Sequence, residues 1–291
     1  MKTHEAAAIA ISLNPHQDEG SDNGADVAVA PRAVQSLGEA DVRVSIGPLR
    51  TNVAFAEWGP LWRYNIAALT PTAGAPSRKG PTLIYHLAPS DRQLVAAAYN
   101  RIVSTYGKNL CILDDGSPEG RLRASLMTAH ATNPLHLTIP PGGARNPLVV
   151  SCMTGMQAVF LGSRNLMIFT GPRVANRLSI ANLLDRTFSR DFSLTAIGSR
   201  YGSVYQVAAA PVPRTAQVEA VANAYHAYAK TVASDDALRT YAAVQIATVA
   251  AVRSVDALHV LASTNFDTII GRVAFDAYGD RVGAPIEIKQ L

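Results

Sequence analysis

Three acidic residues near the middle of the chain are the first candidates for chemistry. Asp114 and Asp115 end the apolar run Leu110–Leu113, and Glu119 follows shortly after. A pair of carboxylates can act as general acid and base or bind a metal ion. Adjacent residues on a turning chain point in different directions, however, and no further carboxylate stands at a useful spacing. The pattern therefore predicts a turn, and an α/β enzyme that uses these three residues is the weaker alternative.

The histidines and the glycines lack the spacing of catalytic motifs. Each histidine is isolated from other types of metal ligand, which predicts surface or structural roles. No GxxxxGK[ST] or GxGxxG pattern follows an apolar run, and no GxSxG or HExxH pattern is present. The sequence thus predicts that the protein is not an enzyme and holds no cofactor and no metal. The histidines are His4, His16, His86, His130, His136, His226 and His259.

The distribution of charge argues against nucleic acid as a partner. Lys and Arg total 26 against 22 Asp and Glu, a formal net charge of +4. The basic residues are scattered singly, with no run of five like charges, so no binding face for a polyanion is predicted. Cys111 and Cys152 are too few for a disulfide framework and show no metal-ligand spacing. Cys111 lies in an apolar run and is predicted to be a small buried hydrophobe.

Short apolar strands alternate with amphipathic helical patterns along the chain. This alternation is typical of βαβ units and predicts an α/β fold with mostly parallel sheets. Hydrophobic residues make up 48% of the 291 residues, which is ample for a core. The predicted helices cover residues 25–37, 53–64, 91–106, 121–130, 215–232 and 237–253. The predicted strands cover residues 8–13, 42–46, 66–69, 82–87, 110–113, 135–139, 156–161, 166–169, 204–210, 269–275 and 286–288.

The first residues of the chain do not have the pattern of a secretory signal. The apolar stretch after Glu5 is short, has the wrong flanking residues and is broken at Asn14 and Pro15. No window approaches 18 apolar residues, so no insertion into a membrane is expected. The sequence as written therefore predicts a cytoplasmic location.

Several short strings resemble one protein family, in the family's order and at its spacing. The closing segment FDTIIGRVAFDAYGDRVGAPIEIKQL (266–291) resembles the end of the type I periplasmic binding proteins, the leucine/isoleucine/valine-binding family. The resemblance runs from about Ile9 to Leu291. The other strings that resemble the family are IGPLRTNVA (46–54), LTPTAGAP (69–76), HLAPSD (86–91), ILDDGSPEG (112–120), AVFLGS (158–163) and YAAVQ (241–245).

The resemblance implies a type I periplasmic-binding-protein-like fold. Such a fold has two doubly wound parallel-sheet lobes, joined by hinge crossings, that close on a ligand. Connectors marked by proline, near Pro89 and at Pro211–Pro213, are the expected crossings, because proline stiffens a connector. The expected lobes are residues 1–87 with 214–270, and residues 88–213 with 271–291.

Two loops of the first lobe carry the ligand site that the resemblance implies. The family's hydroxyl that holds a ligand carboxylate falls on Thr51, next to Asn52. The backbone contacts of its second loop fall on Thr72 and Gly74, with Ala73 between them. The family commonly has a threonine at Gly74, so one hydroxyl is missing, and Thr72 is the candidate to replace it.

The second lobe departs from the family where an amino acid's amine would bind. The family's aromatic ligand positions fall on Glu119 and Arg164, and its acidic partner for the α-ammonium falls near Arg173. Guanidinium repels an ammonium and forms charge-assisted hydrogen bonds with a carboxylate. We therefore expect a ligand that is anionic at both ends or lacks a free α-ammonium. The family's first strand and helix are also absent, and a later helix is reduced to Arg164 and Asn165.

These observations predict a solute-binding protein that captures a small carboxylate-bearing metabolite, an amino acid or an organic acid, in an interlobe cleft. As the resemblance implies, the expected partner besides the ligand is the permease of an ABC importer, and the expected location is extracytoplasmic. A cytoplasmic ligand-sensing regulator of the same fold is the alternative that fits the missing signal. None of these interpretations requires a catalytic residue, a cofactor or nucleic acid.

Overall fold

The computed structural model describes most of the chain in two compact units. The described residues are 9–11, 24–74, 82–106, 110–139, 157–161, 166–170, 203–253 and 256–290. The first unit comprises Met1–Ser90 and Pro211–Pro285, and the second comprises Asp91–Ala210 and Ile286–Leu291. Each unit is therefore assembled from two separate stretches of the chain. In the described part, no helix has the length and apolar character needed to cross a membrane.

Strands and helices alternate along most of the described chain, as the sequence predicts. The strands are β1 (Ile9–Ile11), β2 (Val44–Ile46), β3 (Ala67–Thr70), β4 (Ile84–His86), β5 (Leu110–Asp114), β6 (Leu135–Thr138), β7 (Gln157–Leu161), β8 (Leu166–Thr170), β9 (Ser203–Ala209), β10 (Phe266–Thr268), β11 (Gly271–Val273) and β12 (Ile286–Gln290). The helices are α1 (Gly24–Glu39), α2 (Thr51–Tyr64), α3 (Asp91–Tyr106), α4 (Pro118–His130), α5 (Ala216–Ala229), α6 (Asp235–Arg253) and α7 (Ala257–Ser263).

The sheet of the first unit is entirely parallel, in the order β1-β2-β3-β4. Helices α1 and α2 connect its first three strands, since parallel neighbours need a crossover of a dozen or more residues. Side chains alternate between the two faces of the sheet. Leu69 packs in a cluster with Ile246 of α6, whereas Ala68 packs in another with Val34 and Leu61 of α1 and α2. Helices thus cover both faces, which confirms the predicted α/β class with parallel strands.

The sheet of the second unit is mixed, in the order β12-β9-β8-β7-β5-β6. Strand β5 pairs in parallel with β6 and β7, whereas β7–β8, β8–β9 and β9–β12 are antiparallel. The physical reason lies in the connection between β7 and β8, because residues 162–165 are too few for a crossover and allow only an antiparallel return. Helices α3 and α4 pack on this sheet through Val95, Ile102 and Met127.

The end of the chain differs from the sequence prediction in two respects. The predicted strand 269–275 is confirmed only at Gly271–Val273, because Ile269 and Ile270 form the turn of a hairpin between β10 and β11. The Thr268 hydroxyl donates to the Gly271 carbonyl across this turn, and Gly271 has a φ of 92°. Residues 271–285 also group with the first unit, whereas the expected boundary lies after residue 270.

Cys111 is buried in the centre of β5, as predicted, with no exposed surface. It is disulfide-bonded, however, so the expectation of a simple buried hydrophobe is wrong in that respect. The only other cysteine of the sequence is Cys152, which lies outside the described residues. Two cysteines that are distant in sequence give no spacing signal for a disulfide.

Candidate functional site

The loops after β2 and β3 lie at the same edge of the first unit's sheet. Strand β2 ends at Ile46, and Gly47–Arg50 lead to the first residue of α2, Thr51. Strand β3 ends at Thr70 and continues into the second loop. Because the two strands are parallel neighbours, their carboxyl ends coincide, and this is where ligands bind in open α/β sheets. The fold thus brings the two predicted loops together.

Two hydrogen bonds join these loops. The Gly74 backbone N–H donates to the Thr51 hydroxyl oxygen at 3.0 Å. The Thr72 hydroxyl donates to the Leu49 carbonyl at 2.6 Å. The Thr51 hydroxyl accepts in the first contact, so its own proton is still available to a ligand. The Thr72 hydroxyl donates its proton to the Leu49 carbonyl within the loop pair. This contact is structural, so the same proton does not replace, towards a ligand, the threonine hydroxyl that is missing at Gly74.

Helix α2 begins between the two loops and presents its N-terminus there. Its N-cap residue Arg50 is extended, and no side chain caps the helix. The Asn52 side-chain oxygen accepts the N–H of Val53 at 2.9 Å. Thr51 and Asn52 are both half-buried, so this helix end is reached by solvent. An uncapped helix start concentrates backbone donors and a partial positive charge, which together favour an anion such as a carboxylate.

A buried histidine holds the second loop through a hydrogen bond to its backbone. His86 and Thr70 have no exposed surface, and His86 Nδ1 lies 2.8 Å from the Ala73 carbonyl and 3.0 Å from the Thr70 hydroxyl. The carbonyl can only accept, so Nδ1 carries the proton. Ala73 is itself buried, and its carbonyl is held by this contact. The prediction of a structural role for His86 is confirmed, and its place beside the loop after β3 was not predicted.

The turn at Asp276–Asp280 completes this support. The His86 N–H donates to the Gly279 carbonyl at 2.8 Å, and the Arg281 N–H donates to the His86 carbonyl at 3.2 Å. The Asp276 carboxylate accepts the N–H groups of Tyr278 and Asp280. These contacts place the turn beside β4 and explain why residues 271–285 group with the first unit. The predicted turn around Gly279 and Asp280 is confirmed.

Of the predicted second-lobe residues, Glu119 lies in the described part of the chain. It occupies the first turn of α4, where an acidic side chain is favourable to the helix dipole. The helix is capped by Ser117, whose hydroxyl oxygen accepts the Gly120 N–H at 2.9 Å. Arg164 and Arg173 lie outside the described residues. The structure therefore assembles the first-unit loops but does not test the second-lobe set.

The acidic pair after β5 has a structural role. Asp114 is fully buried, and one of its carboxylate oxygens accepts the Gly116 N–H at 2.7 Å. The other oxygen accepts from His136 Nε2 and from the Thr138 hydroxyl, both at 2.8 Å. Asp115 accepts from the backbone and hydroxyl of Ser117. The turn prediction is confirmed, and the described residues hold no group of three or more His, Cys, Asp or Glu that could bind a metal.

Glu57 on α2 is a titratable residue that the sequence analysis missed. Burial raises the pKa of its carboxyl from 4.5 to about 7, so this group is partly protonated near neutral pH. It lies between Ala56 and Trp58 on the helix that starts at the candidate site. A glutamate on an amphipathic helix is ordinarily exposed, so the sequence contains no signal for this shift.

Comparisons with known proteins place the fold. No protein-family model matches the chain, and no curated protein sequence matches it. An ABC transporter substrate-binding protein from Desulfitobacterium hafniense has a TM-score of 0.65 at 13% identity, covering 98% of this chain and 96% of that chain. The branched-chain amino acid transporter substrate-binding protein LivJ from Streptococcus pneumoniae, solved with isoleucine, has a TM-score of 0.57 at 14% identity, covering 93% and 86%.

A third similar structure has a different ligand. The solute-binding protein of an ABC transporter from R. palustris, solved with benzoate, has a TM-score of 0.59 at 15% identity, covering 93% of this chain and 81% of that chain. At these identities the similarity concerns the fold. The chain has the α/β fold of ABC substrate-binding proteins, which confirms the predicted fold class and the structural resemblance from which it came.

Proposed function

We propose that this chain is a solute-binding protein that captures a small metabolite by its carboxylate and serves an ABC importer. The observation that carries the proposal is the pair of hydrogen-bonded loops at the start of α2. This pair presents the Thr51 hydroxyl proton and an uncapped helix N-terminus at one edge of a parallel sheet. Such a site needs no cofactor and no catalytic residue, because its donors are supplied by the chain itself.

The geometry favours a rigid anion site over an adaptable loop. The hydrogen bonds between the loops and the buried His86 contact hold the donors in place before a ligand arrives. A preorganised site loses less conformational entropy on binding, so more of the interaction energy contributes to affinity. A hydrogen bond to a charged group is worth roughly 1.5–3 kcal/mol. Thr51, Asn52 and the Thr72–Gly74 loop are the proposed first-unit residues.

The ligands of the similar structures support a carboxylate as the shared feature. Isoleucine in one neighbour, leucine in another and benzoate in a third differ in size, shape and the presence of an amine. All three carry one carboxylate. A site that holds this group through helix and hydroxyl donors accommodates such variety, because specificity then depends on other residues.

Glu119, Arg164 and Arg173 are proposed to contact the rest of the ligand and to determine specificity. Arginine at the last two positions favours a second anionic group or a ligand without an α-ammonium, since guanidinium pairs with carboxylates. An organic acid, including an aromatic acid, is therefore the preferred ligand class over a branched-chain amino acid. The proposed lobes are residues 1–87 with 214–270 and residues 88–213 with 271–291. Because residues 271–285 group with the first unit in the structure, the proposed boundary after residue 270 is moved to residue 285.

Isothermal titration of the pure chain with leucine, glutamate, benzoate and succinate tests the ligand class. We expect binding of benzoate or succinate to be tighter than binding of leucine. Tight binding of leucine with no response to the two amine-free acids would contradict the role of the arginines. Absence of binding by every carboxylate would contradict the proposed function itself.

Substitution of Thr51 tests the carboxylate contact directly. Thr51→Val removes the donor while keeping the shape of the side chain, so affinity is expected to fall by roughly 1–3 kcal/mol. The matched control is Thr128→Val on α4, where the hydroxyl is exposed and donates to Ala124 within its own helix. Equal affinity in the two variants would remove Thr51 from the site.

A further inference from the structure

Helix α6 has a solvent-facing side without charge. From Thr240 to Val252 its sequence is TYAAVQIATVAAV, which contains no charged residue on any face. The inner face is buried against the first unit's sheet, as Ala243 and Ile246 show. The outer face includes Tyr241, 43% exposed, and Val252, 82% exposed. A surface helix ordinarily carries polar and charged residues on its outer face, so this apolar side is unusual.

Helix α5 extends the same surface. Tyr225 and Tyr228 are one turn apart on this helix and are 40% and 91% exposed. Between α5 and α6 lies a groove of about 350 Å³, and a second groove of about 550 Å³ continues from it along α6. Both grooves are lined by Tyr241 and Val244, so they form one continuous surface, here called the α5–α6 face.

We infer that the α5–α6 face is the interface of a homodimer. A two-fold interface brings the same patch of both copies together, so a charge near the axis meets an identical charge. The run from Thr240 to Val252 is uncharged, so the middle of α6 brings no such repulsion, and Asp267 is the charged residue among those that line the two grooves. In the proposed dimer, the exposed ring of Tyr228 would enter the groove that Tyr225 and Tyr241 line on the partner copy.

The available area is close to what a dimer requires. The exposed parts of Tyr225, Tyr228, Val232, Tyr241 and Val252 present roughly 600 Å² of side-chain surface. Each partner contributes roughly 800 Å² to a standard interface, of which these five residues would supply about three quarters. Tyrosine is also enriched at the centres of interfaces. Contiguous apolar surfaces of this size on monomers are uncommon and often functional.

Sedimentation velocity at increasing concentrations of the full chain tests the dimer. Mass action predicts a shift from 30.8 kDa to twice that mass as the concentration rises from about 1 to about 100 µM. Tyr228→Lys and Val252→Lys each place a charge on the α5–α6 face and should weaken dimerisation at least about tenfold. Both side chains are exposed, so the melting temperature of the monomer should be unchanged.

The matched control is Val29→Lys on α1, where an equally simple valine is 54% exposed away from this face. The control should dimerise like the wild-type chain. A wild-type chain that stays monomeric at every concentration overturns the inference, and so does a dimer that both lysine variants leave intact. Neither result bears on ligand binding, because the loop pair at Thr51 and Gly74 does not contribute to this face.

Discussion

The two units contain the same kinds of element but connect their strands differently. In the main sheet of the first unit, helices α1 and α2 connect β1 to β2 and β2 to β3, and all four strands run parallel. In the second unit, residues 162–165 connect β7 to β8, and these strands run antiparallel. Parallel neighbours end at the same edge of a sheet, whereas antiparallel neighbours end at opposite edges.

This difference explains why the first unit holds the better-defined candidate site. The loops after β2 and β3 meet and share hydrogen bonds because their strands end together. Each unit also buries a polar side chain at the end of a strand. In the first unit His86 holds the loop after β3 through the Ala73 carbonyl, whereas in the second Asp114 ties its own turn to β6.

Reduction of the disulfide should have the largest effect on stability, and this effect should be confined to the second unit. The chain's two cysteines, Cys111 and Cys152, both belong to the second unit, so a reductant should leave the first unit unchanged. Loss of a native disulfide typically costs roughly 2–5 kcal/mol. Hydrogen exchange should therefore accelerate in peptides covering β5 and β7 but not in those covering β2 and β3. Equal acceleration in both sets, or a free thiol at Cys111, would contradict the comparison.

Gly279→Ala should destabilise the first unit by disrupting the contact between the Asp276–Asp280 turn and β4. Gly279 has a φ of 77°, and a Cβ there would lie 2.1 Å from the Ile84 carbonyl oxygen. Left-handed backbone and forced packing together should cost roughly 2–4 kcal/mol. Urea denaturation measures this loss. Gly283→Ala is the control, because it has the same backbone strain at 65° without a nearby atom. Similar losses in the two variants would show that the close contact with β4 is unimportant.

Glu57→Gln should have a smaller, pH-dependent effect on the first unit. The carboxyl pKa is about 7 in the folded protein and 4.5 in the unfolded chain. Between these pH values the folded chain therefore binds more protons than the unfolded chain. Stability of the wild-type chain should therefore fall as the pH rises from 4.5 to 7. Between pH 4.5 and 7, the free energy of unfolding should fall by roughly 1–3 kcal/mol more in the wild-type chain than in the variant. Parallel stability profiles of both proteins across that range would contradict the buried carboxyl.

Much of the fold follows from local sequence patterns. Helix α3 begins and ends where the sequence predicts, because its apolar residues recur at helical spacing. The turns at Asp114–Asp115 and Gly279–Asp280 also follow from residues that favour turns. The loop pair was predicted through family strings, and its hydrogen bonds agree with the expected adjacency of the loops.

Local capping and tertiary contacts account for what the sequence did not show. Helix α7 begins at a cap formed by the Asp256 side chain, which accepts the His259 N–H. The hairpin turn at Ile269–Ile270 lies in a segment that has the apolar content of a strand. The placement of His86 under Ala73 depends on the pairing of β4 with β3, and the bond at Cys111 has no signal in the cysteine spacing. The raised pKa of Glu57 depends on burial, which composition does not encode.

Amide chemical shifts in the ¹⁵N-labelled chain test the central claim most directly. Titration with benzoate should move the amide signals of Thr51, Asn52 and Gly74, because the carboxylate is proposed to bind at the start of α2. Titration with benzamide, which has the same ring and no charge, should leave them in place. Binding of benzoate that does not move these three signals, or equal movement with benzamide, would contradict the carboxylate site.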